Sequence, residues 1–272
     1  MLPDKIAIIA GQGSLPKEIY DACINNNIEA HVIGLDGQCD LELFKDIPLN
    51  TIPIHAVSNI INTIKAYGIT NIVLAGRVKR AVIPKLMLDF KGAKLFARIL
   101  SYGLSDKGLG RAIIKFLESE GFTVLSPEVI AKESTAVPGN MTKVMIHKRY
   151  LQDIAHGRKT LNAISQLDVG QSLIIQNGLI LGVEAAEGTN DLIKRCGAIK
   201  QQFETDPVLI KICKPHQDRR IDLPCVGPIT IETMHEFGIK GMALQPYLCL
   251  ILDKKKTIEL ANKYDIFIYG LQ

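Results

Sequence analysis

Residues 214–224, KPHQDRRIDLP, bring Lys214, His216, Asp218, Arg219, Arg220 and Asp222 together in one short stretch. Carboxylates at 218 and 222 are hard oxygen donors of the kind Mg2+ takes while keeping part of its water shell. Arg219 and Arg220 offer forked donors that match phosphate oxygens, and Lys214 adds a compact point charge. Gln217 stands among them as a neutral hydrogen-bonding group. The chemistry that suits this mixture is the handling of a phosphate or diphosphate together with its metal. The competing reading is a surface loop whose charges pair with one another, each pair of little energetic value.

Three other stretches carry polar groups at places where chemistry is done. GQGSLP (11–16) is a glycine turn between an apolar run and a helical pattern. Gly11, Gly13 and Ser14 there would offer backbone N–H groups and a helix N-terminus to a phosphate, or simply make a tight turn capped by Ser14. It is neither G-x-G-x-x-G nor a P-loop, because Pro16 takes the third glycine's place and the P-loop lysine is missing. AGRVKR (75–80) sets Arg77, Lys79 and Arg80 just past an apolar run, where an anion would suit them. GVEAAEGTND (182–191) ends an apolar run with Glu184 and Glu187, then starts a helix at Gly188 and Thr189. Capping accounts for Thr189 and Asp191. It does not account for Glu187, which joins Asp218 and Asp222 as a candidate metal ligand. Finally, Lys85, Lys91, Lys94 and Arg98 lie opposite Leu88, Leu95, Phe96, Ile99 and Leu100. That pattern describes either a helix lying against a membrane or acyl chains, or an ordinary core-facing helix.

The elements that must hold these groups follow from periodicity. KIAIIA (5–10), AHVIGL (30–35), NIVLAG (71–76) and FTVLSP (122–127) read as strands. The stretches 17–27, 55–68, 85–100 and 107–120 between them read as helices. This alternation predicts a parallel sheet with right-handed crossovers, and Asp36 after the second strand would suit a nicotinamide nucleotide. The polar stretch 128–143, with Pro138 and Gly139, marks a boundary. Beyond it come a helix at 149–166, a hairpin around Asn177-Gly178, a helix at 190–203, a strand at 207–213, a helix at 229–238, a strand-like run at 242–252, a helix at 256–265 and a last strand, IFIYG. The expected fold class is α/β: a Rossmann-like parallel-sheet domain at 1–132, a linker at 133–145, and a mixed α+β domain at 146–272 carrying the catalytic loop.

Composition limits the alternatives. Of the 272 residues 47% are hydrophobic and 22% charged, which is ample for a packed core. A formal charge of +4 with no Trp and 6% aromatics argues against a nucleic-acid platform. The cysteines are scattered without a CxxC, so reduced core thiols are expected rather than disulfides or a zinc site. No signal-peptide pattern and no long apolar run is present, and a soluble, cytoplasmic protein is expected.

Taken together, IIAGQGSLP, AGRVKR, LDVGQSLIIQNGLILGVEAAEGTND, VLIKICKPHQDRRIDLPCVGPITI and IFIYG resemble the UDP-2,3-diacylglucosamine pyrophosphatase family of lipid A biosynthesis, in its LpxI-type form unrelated to calcineurin-like phosphoesterases. The resemblance runs nearly the whole chain in order. Gln12, His216 and Asn190 depart from the residues usual there. It implies hydrolysis of UDP-2,3-diacylglucosamine to UMP and 2,3-diacylglucosamine 1-phosphate by water attacking the sugar-side phosphorus. Mg2+, with Mn2+ as a substitute, would serve as cofactor, and the lipid-linked substrate and product would be the partners. Lys214, Asp218, Arg219, Arg220 and Asp222 would be catalytic. Gly11, Gly13, Ser14, Arg77, Lys79, Glu187, Gly188, Thr189 and Gln217 would contact substrate. The protein would work in the cytoplasm, peripheral to the inner membrane. A nucleotide-binding oxidoreductase and a non-catalytic lipid or nucleotide carrier are the alternatives.

Overall fold

The computed structural model describes residues 2–167, 169–203, 205–215 and 217–272, without the side chains of residues 80–82 and 106. His216 and the Arg80 side chain, both named above, lie outside the described residues. The chain divides into two compact units, Met1–Ala131 with Asp218–Asp222, and Lys132–Gln217 with Leu223–Gln272.

In unit 1 the strands are β1 (Lys5–Ala10), β2 (Glu29–Leu35), β3 (Leu49–Ile52), β4 (Asn71–Ala75) and β5 (Thr123–Leu125). They form a parallel sheet in the order β3-β2-β1-β4-β5, the doubly wound arrangement. The central strands are continuous apolar runs because both faces are covered. Ile6 and Ile8 join a cluster with Ile19 and Cys23 of α1 (Leu15–Asn25), while Ala7 and Ile33 face α2 (Val57–Ala66), α3 (Phe90–Tyr102) and α4 (Asp106–Ser119). Strand β3 is not among the strands that periodicity predicts. It is four residues long, is bounded by Pro48 and Pro53, and sits at the sheet edge, where prolines are tolerated and the apolar signal is weak.

The helix expected over 85–100 is interrupted. Arg80–Leu88 forms 3-10 turns containing Pro84, and α3 starts afresh at Phe90. Asp89 is the reason. Its carboxylate caps α3 by accepting from Gly92 N (3.0 Å) and pins α2 by accepting from Ser58 N (2.8 Å) and Ser58 Oγ (2.9 Å). These hydrogen bonds hold its pKa below the ordinary carboxylate range, against the opposing effect of burial.

Unit 2 is a mixed sheet in the order β6-β13-β11-β9-β7-β8. Its strands are β6 (Gly139–Asn140), β7 (Ser172–Gln176), β8 (Leu179–Val183), β9 (Val208–Lys211), β11 (Gly241–Leu244) and β13 (Phe267–Gly270), with a separate pair, β10 (Cys225–Val226) and β12 (Leu250–Ile251). Alternate residues serve opposite faces. Leu173, Ile175, Val208 and Ile210 pack with Ile154 and Leu161 of α6 (Arg149–Ile164). Ile174, Leu209 and Met242 pack with α7 (Thr189–Ile199), α8 (Pro228–Phe237) and α9 (Lys254–Lys263).

The β7–β8 hairpin turns at Asn177 and Gly178, both with positive φ (49° and 79°), as the Asn-Gly pair demands. Asp153, buried on α6, accepts from both turn amides at 2.7 and 2.6 Å. Hydrogen bonds to a charged group contribute about 1.5–3 kcal/mol each, so this contact locks the hairpin register.

Two expectations change here. The strand-like run 242–252 is two strands, because Pro246 and Tyr247, at φ 60°, break it. The expected linker 133–145 is bound into unit 2 instead. Ala136 is fully buried, its N–H donates to Cys249 O and its carbonyl accepts from Tyr247 N, and Asn140 pairs with Tyr269. A Pro-Gly pair there introduces an edge strand, not a tether.

Candidate functional site

The loop Asp218–Asp222 is part of unit 1. Its chain turns back on itself, with Ile221 N and Asp222 N both donating to Asp218 O at 3.0 and 3.2 Å, which brings the two aspartates onto one turn. Ile221 packs into the unit 1 core beside Gly110, where a methyl group would lie 3.1 Å from its side chain. Both arginines find carboxylates that the sequence motif does not contain. Arg220 grips Asp218 through Nε–Oδ1 (2.8 Å) and Nη2–Oδ2 (2.7 Å), and its Nη1 donates to Glu118 Oε1 at 2.9 Å. Arg219 Nη1 lies 3.0 Å from Glu128 Oε1. The bidentate arginine holds the Asp218 pKa below its ordinary value, and the same pairing raises that of Arg220.

Glu128 stands on the short helix α5 (Pro127–Ile130), immediately past the carboxyl end of the β5 strand. Its Oε2 is buried without a hydrogen-bond partner among the described residues, and burial pushes its pKa up despite Arg219. A largely buried carboxylate at the carboxyl end of a parallel sheet is where a ligand-handling group belongs. The sequence signal, Ser126-Pro127-Glu128, straddles the end of the strand expected at 122–127 and the start of a stretch whose polarity suggests only a boundary.

The glycine turn is held by the chain's own groups. The loops leaving β1 and β4, between which a doubly wound fold ordinarily admits a dinucleotide, are laced together by Gln12 N to Arg77 O and Arg77 N to Gln12 O, both 2.9 Å. A methyl group on Gly11 would lie 2.5 Å from Arg77 O, and one on Gly76 would lie 2.6 Å from Gly11 C, so both glycines answer to this close approach. Gly13 N donates to Asp40 Oδ2 at 2.7 Å, putting the chain's own carboxylate at the N-terminal end of α1. Ser14 occupies the cap position in a helical conformation and makes no side-chain cap bond. Its Oγ approaches Glu18 Oε1 at 3.4 Å instead, which corrects the capping expected of it. Pro16 does fit the first turn. Lys79 N donates to Gln38 Oε1 at 2.9 Å, and Arg77 is exposed.

In unit 2, Lys214 N donates to Gln217 Oε1 at 3.2 Å, so these two share a turn. Glu187 accepts from Arg195 Nη2 (2.7 Å) and Ala185 N (3.0 Å), and the arginine keeps its pKa low. Gly188 precedes α7 at φ 84° and Thr189 opens the helix. Thr189 leads to a group that sequence reasoning missed. Lys211, 2% exposed at the end of β9, donates to Thr189 Oγ1 (2.7 Å) and Ser172 Oγ (3.0 Å). Thr189 Oγ1 in turn donates to Glu184 Oε1 at 2.9 Å. Glu184, 7% exposed, has its Oε2 3.7 Å from Lys211 Nζ and without a hydrogen-bond partner among the described residues. The signal is a lysine inside VLIKIC, an otherwise apolar strand, where an ionisable side chain needs partners.

The metal-ligand expectation named Asp218, Asp222 and Glu187. Among the described residues no cluster of three or more His, Cys, Asp or Glu side chains is arranged as a metal site. Among them, too, the cysteines are free thiols, and burial alone pushes the Cys23 thiol up to about 12.

Comparison with known proteins gives two family matches. Residues 5–134 match the LpxI N-terminal domain and residues 137–269 the LpxI C-terminal domain. A protein of Caulobacter vibrioides named UDP-2,3-diacylglucosamine pyrophosphatase LpxI is 30% identical over 273 residues, covering 98% of this chain and 97% of that protein. Among solved structures, a Thermus thermophilus UDP-glucose 4-epimerase in complex with NAD aligns over 98% of this chain and 85% of its own at 10% identity. Its TM-score of 0.31 is too low for the likeness to carry any argument.

Proposed function

The chain belongs to the LpxI family, matching both of its domains, and on that premise we propose that it is a hydrolase of lipid A biosynthesis. Its substrate is UDP-2,3-diacylglucosamine, whose diphosphate it cleaves to UMP and 2,3-diacylglucosamine 1-phosphate in the cytoplasm. The observation that carries this reading is the end-to-end likeness to a relative named for that pyrophosphatase activity. The loop chemistry supports it. Arg219 is paired through Nη1 with Glu128 and Arg220 through Nε and both Nη atoms with Asp218 and Glu118, so the two guanidinium groups would act on phosphate oxygens with their remaining N–H groups and their charge, which in-line displacement at a diphosphate needs as the leaving group departs.

Mg2+, or Mn2+ in its place, fits the donor set. Such an ion takes one or two carboxylates and completes its shell with water and substrate oxygens, so it does not require a protein cage. Asp218 and Asp222, on one turn, would hold it, and one of the pair would orient the attacking water. Bound there, the ion would polarise the phosphoryl oxygens and make water more acidic. Glu187, paired with Arg195 in unit 2, is the weaker ligand candidate. Arg220 holds the Asp218 carboxylate in one orientation, which would preset the acid side of the proposed site before substrate arrives. Lys214 and Gln217 would contact the phosphates. Gly11, Gly13, Ser14, Arg77, Lys79, Gly188 and Thr189 would contribute to substrate binding.

The test is release of UMP from UDP-2,3-diacylglucosamine with Mg2+, after EDTA treatment and after restoring the ion. Turnover that stops with chelation, returns with Mg2+ or Mn2+, and is lost in Asp218→Asn and Asp222→Asn is the expected result. Binding without UMP release would favour a carrier. Full activity after exhaustive chelation would remove the metal from the scheme.

A further inference from the structure

The positive charge of this chain is concentrated in one place. Residues 79–107 hold seven Lys or Arg against two Asp, a net +5, while the whole chain is +4, so all the remaining residues together sum to −1. The same segment exposes several large apolar side chains. Met87 is 60% exposed, Leu88 75% and Phe90 87%, and Leu100 and Leu104 are each more than half exposed. These groups are not what fastens the segment to unit 1, since Leu86, Leu95 and Ile99 are buried in the core and do so.

Charge and apolar surface are interleaved along α3. Phe90, Lys94 and Arg98 follow at four-residue spacing and therefore share one stripe of the helix. Lys65, Lys91 and Lys94 all reach the single carboxylate of Glu120, so the cluster stays positive after pairing. Among the described residues no helix is long and apolar enough to cross a membrane.

We propose that the surface formed by Met87, Leu88, Phe90 and the cations of α3 docks on an anionic lipid bilayer, lying in its interface without spanning it. Exposed Phe and Leu side chains enter the boundary between headgroups and acyl chains, while lysine and arginine meet anionic headgroups. Neither a neutral apolar partner nor a purely electrostatic one accounts for both features together. This goes beyond the hydrolysis proposed above and does not depend on it, because the docking is read without substrate.

The experiment is co-flotation of the full chain with vesicles of phosphatidylglycerol in phosphatidylcholine, against pure phosphatidylcholine, across a salt series. Binding to the anionic vesicles alone, weakened by salt, is expected. The Leu88→Ser/Phe90→Ser pair should lower it about tenfold or more, as loss of two inserted side chains implies, with an unchanged circular dichroism spectrum. A Lys94→Gln/Arg98→Gln pair should bind less and show a shallower salt dependence. Absence of binding to anionic vesicles would overturn the proposal, as would equal binding by the serine pair. So would a vesicle-free dimer that the serine pair dissolves, because the surface would then belong to a second copy. If the serine pair slows hydrolysis of a soluble short-chain substrate as much as it lowers flotation, the patch is part of the substrate site and the docking reading fails.

Discussion

Lys211→Met tests whether the buried polar group of unit 2 is held together by charge. Methionine keeps the length of the side chain and removes the ammonium. Two hydrogen bonds disappear, to Ser172 Oγ at 3.0 Å and to Thr189 Oγ1 at 2.7 Å. The Glu184 carboxylate, 7% exposed, keeps its bond from Thr189 and loses the cation that stands 3.7 Å away. Removing one partner of a buried ion pair costs about 3–5 kcal/mol, because the other charge is stranded. In a domain of this size each kcal/mol lowers the melting temperature by about 2–4 °C, so a fall of roughly 6–20 °C is expected. The Lys211→Met/Glu184→Gln double variant removes the stranded charge and keeps an oxygen for Thr189 to donate to. It should therefore recover about 2 kcal/mol relative to Lys211→Met alone. Calorimetry and urea denaturation followed by circular dichroism on all four proteins close the cycle. A single variant within about 0.5 kcal/mol of wild type, or a cycle that is simply additive, would refute the reasoning.

Glu128→Gln should change the pH dependence of stability with a defined sign. Burial raises the Glu128 pKa, so its contribution is complete below the ordinary carboxylate value and is lost as pH rises through the raised one. The variant should gain in melting temperature relative to wild type as pH rises above the ordinary carboxylate value, and a difference that stays constant with pH would count against it. Asp218 has the opposite sign. Its pKa is lowered first by Arg220, so its contribution is present above the ordinary value and lost as pH falls through the lowered one. Arg220→Met should be less stable at neutral pH and should lose less on acidification. Thermal melts in acid that parallel wild type would show that the pair does not matter. For the reaction, turnover in ¹⁸O-enriched water should put label in the diacylglucosamine phosphate. Label in UMP by mass spectrometry would mean attack on the uridine-side phosphorus.

Much of the frame is legible in the sequence because it depends on burial pattern. Continuous apolar strands, an Asn-Gly turn and helical spacing are written in neighbouring residues, and β1, β2, β4, the β7–β8 hairpin and β13 stand where those signals lie. What cannot be read is whatever depends on residues far apart. Asp89 breaks a helix because Ser58 is opposite it. Glu118 and Glu128 matter because Arg220 and Arg219 arrive from far along the chain. The glycines at 11 and 76 allow a close backbone approach between residues far apart in sequence, which local spacing does not show. Lys211 is the clearest missed signal: a lysine within an apolar strand implies a polar partner even before one is known.

The loop Asp218–Asp222 completes unit 1 although the chain has already laid down most of unit 2 by then. Arg220 lies 102 residues beyond Glu118, so this contact closes late during synthesis and carries a long loop-closure penalty. A nascent or truncated chain ending near residue 134 contains Glu128 but lacks Arg219, and its carboxylate would be left without that counter-charge. The N-terminal segment alone therefore lacks the Ile221 packing and the two arginine counter-charges that unit 1 has in the full chain. Its last stabilising pieces come from a stretch of sequence that leaves the ribosome after four of the six strands of the other sheet.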